Sequence, residues 1–157
     1  MDHPYSDELR TLGEAQISDN EVARRQLRCS RVCDIAVAGG LQSAADYFYA
    51  ALVLLHGVSR DEYATAQYFA RTAAQRGDDR AWSVVAAAWD RWLIAAGKPQ
   101  RYGTQFLRSG DGWTVDPVDM RVSDNERALF AVPPLWFQRK SAALQRRVTD
   151  QADDDVE

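Results

Sequence analysis

The sequence predicts a mainly α fold, a compact helical domain of about six helices carrying one small β-hairpin. Three observations lead there. Ser-x-x-Glu runs recur at Ser18, Ser59 and Ser123; in such a box the hydroxyl caps a backbone N–H and the carboxylate reaches back to the N-cap. Gly39-Gly40, Gly57, Gly77 and Gly97 stand where the helical spacing stops, since glycine takes the left-handed C′ conformation without strain. After Pro99 the spacing changes, and Ser109-Gly110-Asp111-Gly112 separates two short strand-like runs.

Taken in order, residues 1–17 are expected to be a flexible N-terminal segment, and residues 18–150 a single domain. The first helix opens at the Ser18 box and runs to about Ala38. The second opens at Gln42 or Ser43. Tyr47, Phe48, Ala51, Leu52 and Leu55 give it an apolar face before Gly57. The third runs from the Ser59 box to Arg76. The fourth is capped by Asp78 or Asp79 and ends at Gly97, and Pro99 blocks continuation. The third and fourth form an αα-hairpin, with Ala64, Ala70, Ala73, Ala74, Ala81, Ala86, Ala87 and Ala88 allowing close approach. Only one such unit is present, whereas a helical solenoid needs at least three. A hairpin near 101–117 pairs Arg101–Arg108 with Trp113-Thr114-Val115. The Ser123 box opens a short helix to about Ala131, Pro133-Pro134 breaks it, and a last helix spans Leu135 to Val148. Residues 151–157 read as a disordered acidic tail.

Composition narrows the function classes. The 157 residues include 46% hydrophobic and 27% charged, a globular balance. No apolar run approaches the roughly 20 residues of a membrane helix, and Met1–Leu9 has no apolar signal core. Nineteen basic against 23 acidic residues, with no basic stripe, argue against nucleic-acid binding. Cys29 and Cys33 share a helix face. Read as reduced half-buried thiols, they suit a cytoplasmic protein. With only His3 and His56 to join them, no zinc site is expected. No phosphate-cradling glycine loop, nucleophile elbow or zinc-protease helix is present, so no cofactor is expected.

The residues able to carry chemistry are few. His56 ends an apolar helix; it reads as a dipole-favoured C-terminal imidazole or as a general acid/base. Asp90 and Arg91 lie among Trp82, Trp89 and Trp92, and Trp82, Trp89 and Leu93 are spaced to face the core. A buried Asp needs partners, so Asp90 reads as a structural ion pair, a backbone cap or a ligand contact. Gln100-Arg101-Tyr102-Gly103-Thr104-Gln105 is the densest polar run. As a strand it would point Gln100, Tyr102 and Thr104 one way and Arg101, Gly103 and Gln105 the other. Gly103 suggests a bulge or a close backbone approach.

The run Gly97-Lys98-Pro99-Gln100-Arg101-Tyr102-Gly103-Thr104-Gln105 resembles the hallmark of a family of bacterial domains of unknown function. In that family an Asp-Arg helix leads into Gly-x-Pro-Gln-x-Tyr-Gly-Thr-Gln, followed by a hairpin and an apolar-Pro-Leu motif. Asp90-Arg91, Asp111-Gly112-Trp113, Asn125-Glu126-Arg127-Ala128 and Pro133-Pro134-Leu135 match that order, and His56 matches a His ending an upstream apolar helix. The resemblance spans roughly Ala44 to Phe137. It implies a mostly helical fold and a shared polar cluster, and it implies no reaction.

Three functional readings follow. The first is a binding module for a small polar ligand or a peptide segment, with Asp90, Arg91, Gln100, Thr104 and Gln105 as ligand contacts. The second is a small cofactor-independent enzyme, with His56 as acid/base and Tyr102 or Gln105 orienting the substrate or stabilising charge. The third is a protein-interaction domain that uses part of the chain's five Trp and six Tyr.

Overall fold

The computed structural model describes residues 4–18 and 21–154. Among them the chain forms seven helices and one two-stranded sheet: α1 (Ser6–Ser18), α2 (Val22–Val37), α3 (Ala44–Leu55), α4 (Arg60–Gln75), α5 (Ala81–Ala95), β1 (Leu107–Ser109), β2 (Gly112–Thr114), α6 (Asp124–Leu129) and α7 (Leu135–Asp154). The mainly α architecture with a single small hairpin is therefore present.

Capping chemistry sets most of the boundaries. Ser43 and Ser59 each close a full capping box, with Asp46 and Glu62 as the returning carboxylates. Ser123 closes half of one. Its Oγ accepts from the Glu126 N–H at 3.1 Å, while the Glu126 carboxylate turns instead to Arg101 at 2.6 Å. Gly77 and Gly97 follow α4 and α5 with φ of +99° and +69°, where a glycine costs no steric strain. The box at Ser18 does not open α2. Ser18 closes α1, Glu21 is the N-cap of α2 without a side-chain cap, and Asp19 and Asn20 lie outside the described residues.

The segment expected to be flexible, residues 1–17, is a helix from Ser6 onward. Its reason is tertiary. Leu9 is fully buried, and the Gln16 amide donates to the Val53 carbonyl of α3 at 3.0 Å. Gly13 lets the backbones close up: a Cβ there would lie 2.8 Å from Cδ1 of Tyr49. The predicted acidic tail is also shorter, because α7 continues through Asp154 and residues 155–157 lie outside the described residues.

Helices α1 to α5 share one core, in which α3 is central. The α4–α5 hairpin packs through Ala66, Ala70, Ala73, Ala81 and Ala88, all fully buried. Two smaller clusters extend the core. Tyr102, Val122 and Val132 pack on Ala86 of α5, and Val115 and Val118 pack on Leu135 and Ala142 of α7.

The hairpin is shorter than expected. Leu107 faces Thr114, Arg108 faces Trp113 and Ser109 faces Gly112. Residues 100–106 form no strand ladder and do not alternate. They fold as a loop whose backbone turns toward α5, tied at Gln100 by a parallel bridge to Val118.

Candidate functional site

The loop is organised by one carboxylate. Asp90 projects from α5 and is fully buried. Its Oδ1 accepts from the N–H groups of Arg101 (2.7 Å) and Tyr102 (2.9 Å), and its Oδ2 from the N–H (2.9 Å) and hydroxyl (2.8 Å) of Thr104. Four donors saturate a carboxylate's usual acceptor positions. Asp90 thus serves as a backbone cap for the loop, one of its three expected roles, and it keeps no free oxygen for a ligand.

Gln100 is equally committed. It is fully buried and donates through Nε2 to the carbonyls of Gln105 (2.9 Å) and Val115 (2.7 Å). Its Oε1 accepts from the Gln105 N–H at 2.8 Å. Gly103 turns the loop with φ +80°, and a Cβ there would meet Leu135 and Val118 at 3.3 and 3.4 Å. The close backbone approach expected at this glycine is therefore present, in a turn rather than in a strand.

Tyr102 is buried against Phe130, with ring centroids 4.9 Å apart. Burial is the main cause that raises its phenol above the ordinary value. Its carbonyl accepts from the buried Arg127 Nε and from the Gln138 amide, each at 3.0 Å. Thr104 and Gln105 remain partly exposed, linked by a 2.9 Å bond from Gln105 Nε2 to Thr104 Oγ1. Thr104 borders an open hollow of about 260 Å³ beside Leu55, Val84 and Pro133.

His56 and Arg91 take no part in the hydrogen bonds that Asp90 and Gln100 make with the loop. His56 is the C-cap of α3, and the charges acting on it are the guanidiniums of Arg91 and Arg25. Burial first, then those two cations, hold its imidazole down to about 4, so it is neutral near pH 7. Among the described residues no hydrogen bond joins it to Tyr102 or Gln105. Arg91 sits one position from Asp90 but turns away, toward the Tyr63 hydroxyl. Cys29 and Cys33 are both free, one buried and one exposed. Burial chiefly pushes the Cys29 thiol up to about 12, which suppresses thiolate chemistry. No three His, Cys, Asp or Glu side chains gather into a metal-binding group among the described residues.

The accessible surface beside the loop belongs to residues that the sequence reading placed differently. Trp89, expected in the core with Trp82 and Leu93, is 39% exposed and stacks on Trp92 with centroids 5.9 Å apart. Trp82 does pack inward, edge-on to Phe130. Trp89 lines two adjacent hollows. One, of about 530 Å³, is bounded by Leu93, Lys98, Pro99, Arg101 and Met120. The other, of about 240 Å³, is bounded by Tyr63, Gln67 and Trp92. Arg60 lies over the Trp92 ring at 4.6 Å, with the Lys98 ammonium 6.0 Å from its centroid. An i, i+3 Trp pair next to a Lys-Pro turn was the available signal, but spacing alone does not say which stripe of a helix faces solvent.

No helix among the described residues is long and apolar enough to cross a membrane. Comparison with known proteins finds no matching family model, no similar curated protein and no similar solved structure.

Proposed function

We propose that the protein is a binding module that takes a small polar ligand with a flat apolar part, or a peptide segment of that character, against Trp89. The observation that carries this reading is the exposed Trp89 indole, which walls two hollows beside the immobilised Lys98–Arg101 turn. Pockets that bind small molecules combine an apolar lining with a few placed polar groups. Here Trp89, Leu93, Pro99 and Met120 supply the former, and Lys98, Arg101 and Arg121 the latter. Two of the cations already carry carboxylates: Arg101 pairs with Glu126 at 2.6 Å and Arg121 with Asp119 at 2.9 Å. Lys98 is the rim cation best placed to meet an acceptor on the ligand.

In this reading Asp90, Gln100 and Thr104 shape the site rather than touch the ligand. The test is a fragment and short-peptide screen read by amide and indole NMR shifts. Hits should move the Trp89, Lys98 and Met120 signals together and should be lost in Trp89→Ala, with circular dichroism checking that the variant is folded. Hits that map elsewhere, or that survive Trp89→Ala, would sink the proposal.

A protein-interaction role has a separate basis. Trp136 and Phe137 at the start of α7 are 63% and 48% exposed and pack edge-to-face at 5.8 Å. A peptide hit that moves these signals instead of Trp89 would favour that role.

A further inference from the structure

The Trp89 indole is a ridge with a hollow on each side, and that shape limits what can lie across it. The larger hollow, about 530 Å³, lies between α5 and the turns at 98–101 and 118–121. The smaller, about 240 Å³, lies between α5 and α4, against Tyr63, Ala64 and Gln67. Trp92 walls the smaller one and stacks on Trp89 with the ring planes 23° apart. Beyond it, the Arg60 guanidinium lies 4.6 Å from the Trp92 ring centroid.

Peptides are recognised in a few ways, and most do not suit this surface. A docking helix needs one continuous groove for its row of apolar anchors, and here the indole divides the groove. An added strand needs a sheet edge, and no residue of β1 or β2 lines either hollow. A polyproline II segment fits. It has about three residues per turn, so prolines three positions apart share a face about 9 Å apart, one for each side of the ridge. Aromatic-lined grooves are the usual hosts of such segments. A proline-rich segment also offers bare carbonyls and few N–H groups, so its host must supply donors. Asp119, the one carboxylate lining the hollows, is held by the Arg121 guanidinium at 2.9 and 3.0 Å. The Tyr63 hydroxyl donates to the Gly57 carbonyl. Lys98, which pairs with no carboxylate among the described residues, is donor only, as is the Trp89 indole.

We propose that the Trp89 surface, taken as the binding site read above, receives a proline-rich peptide in the polyproline II conformation, with an acidic residue at its Arg60 end. Charge complementarity sets the acidic residue. The chain as a whole has a net charge of −4, yet Lys98, Arg101 and Arg121 line the larger hollow against Asp119 alone. Arg60 is exposed, contacts the Trp92 ring and pairs with no carboxylate among the described residues. It is also the first residue of α4, where the helix dipole favours negative charge over positive. A ligand carboxylate at that place meets both the guanidinium and the positive end of the helix. A cationic segment meets like charge on both hollows, and Arg60 already takes the Trp92 ring that would attract it.

The experiment titrates isotopically labelled full-length protein with three synthetic peptides: a short polyproline with glutamates at one end, the same peptide with lysines there, and an alanine-rich helical peptide carrying the glutamates. Amide and indole NMR signals are followed. The expected result is saturable movement of the Trp89 and Lys98 signals with the acidic polyproline, tighter than with either other peptide. Arg60→Glu, at an exposed helix end, should weaken the acidic polyproline about twofold to tenfold, the range for gaining or losing an exposed ion pair, and should strengthen the lysine version. Trp89→Ala should abolish binding of both, with circular dichroism checking that each variant is folded; where Trp89→Ala fails to fold, the charge swap at Arg60 decides. The helical peptide binding as tightly as the polyproline would overturn the proposal. So would affinities unchanged within twofold in Arg60→Glu, or shifts centred on Trp136 and Phe137. Fragments that bind at Trp89 while the polyproline gives no saturable response would overturn the peptide assignment and leave the site standing. Silence of this surface toward fragments and peptides alike would overturn both.

Discussion

Replacing Asp90 by Asn removes one acceptor atom from the centre of the loop and puts a donor in its place. In the wild type, Oδ1 holds the Arg101 and Tyr102 N–H groups, and Oδ2 holds the Thr104 N–H and hydroxyl. The Asn carbonyl can keep one of these pairs. Its NH2 must face the other. If that is the Thr104 pair, the hydroxyl can rotate to accept, but the Thr104 N–H is left pointing at an amide N–H in a buried site. An unsatisfied buried donor costs about 1–3 kcal/mol, and each surviving bond drops from the charge-assisted to the neutral range, about 1 kcal/mol less. The expected loss is about 3–5 kcal/mol in unfolding free energy, or a fall in Tm of about 10 °C for a chain of this length. Urea unfolding followed by circular dichroism measures it, with an unchanged m-value showing that the same surface unfolds. Asp79→Asn, at an exposed position, serves as control and should change little. A loss below about 1 kcal/mol for Asp90→Asn would refute the view that this carboxylate organises the loop.

Two further outcomes follow from the same geometry. Gln100→Ala strips three hydrogen bonds from a fully buried site and should cost about 3–5 kcal/mol, whereas Gln105→Ala loses one bond at a partly exposed one and should cost about 1 kcal/mol; paired thermal melts check the contrast. His56 is held near 4 in the fold, against about 6.5 when unfolded, so the unfolded chain binds the extra proton and stability falls as pH drops through that window. The slope of stability against pH between about 4 and 6.5 should therefore flatten in His56→Gln, while an unchanged slope would mean that other groups set it.

What the sequence made legible was local. The boxes at Ser59 and Ser123, the Ser43 start and the glycine stops are decided within four or five residues, and the structure places helix ends there. Helix α1 was not legible because its stability comes from α3. Nothing near Ser6 announces that Leu9 will be buried or that Gln16 will reach the Val53 carbonyl 37 positions away. The polar run at 100–105 reads as a strand, and the structure makes it a loop, for a related reason. Alternation presumes a neighbouring strand, but the donors here belong to the backbone and their acceptor is a side chain eleven to fourteen residues upstream. Trp89 fails on periodicity itself: its spacing from Trp82 and Leu93 defines a stripe, and only the partner elements decide which stripe is covered. The buried Arg127, which ties Tyr102 and Val122 together through their carbonyls, carries no sequence signal that separates it from a surface arginine.

The saturation of Asp90 and Gln100 bears directly on the proposed binding surface. These residues leave nothing to offer a ligand, yet their bonds hold the backbone that presents Pro99 and Arg101 to the Trp89 groove. Arg101 is fixed twice, its N–H by Asp90 and its guanidinium by Glu126 at 2.6 Å. Binding that requires no ordering of loop or side chain avoids about 0.5–1.5 kcal/mol for each group that would otherwise be immobilised. Weakened affinity in Asp90→Asn, under conditions where the variant is still folded, would then report lost preorganisation rather than a lost contact. The kinetic signature differs as well. Losing a direct contact raises the dissociation rate, whereas a loop that must first order itself lowers the association rate in proportion to the competent fraction. Stopped-flow binding with any ligand from the screen separates the two, and a change confined to the dissociation rate would place Asp90 in the contact role that its four bonds argue against.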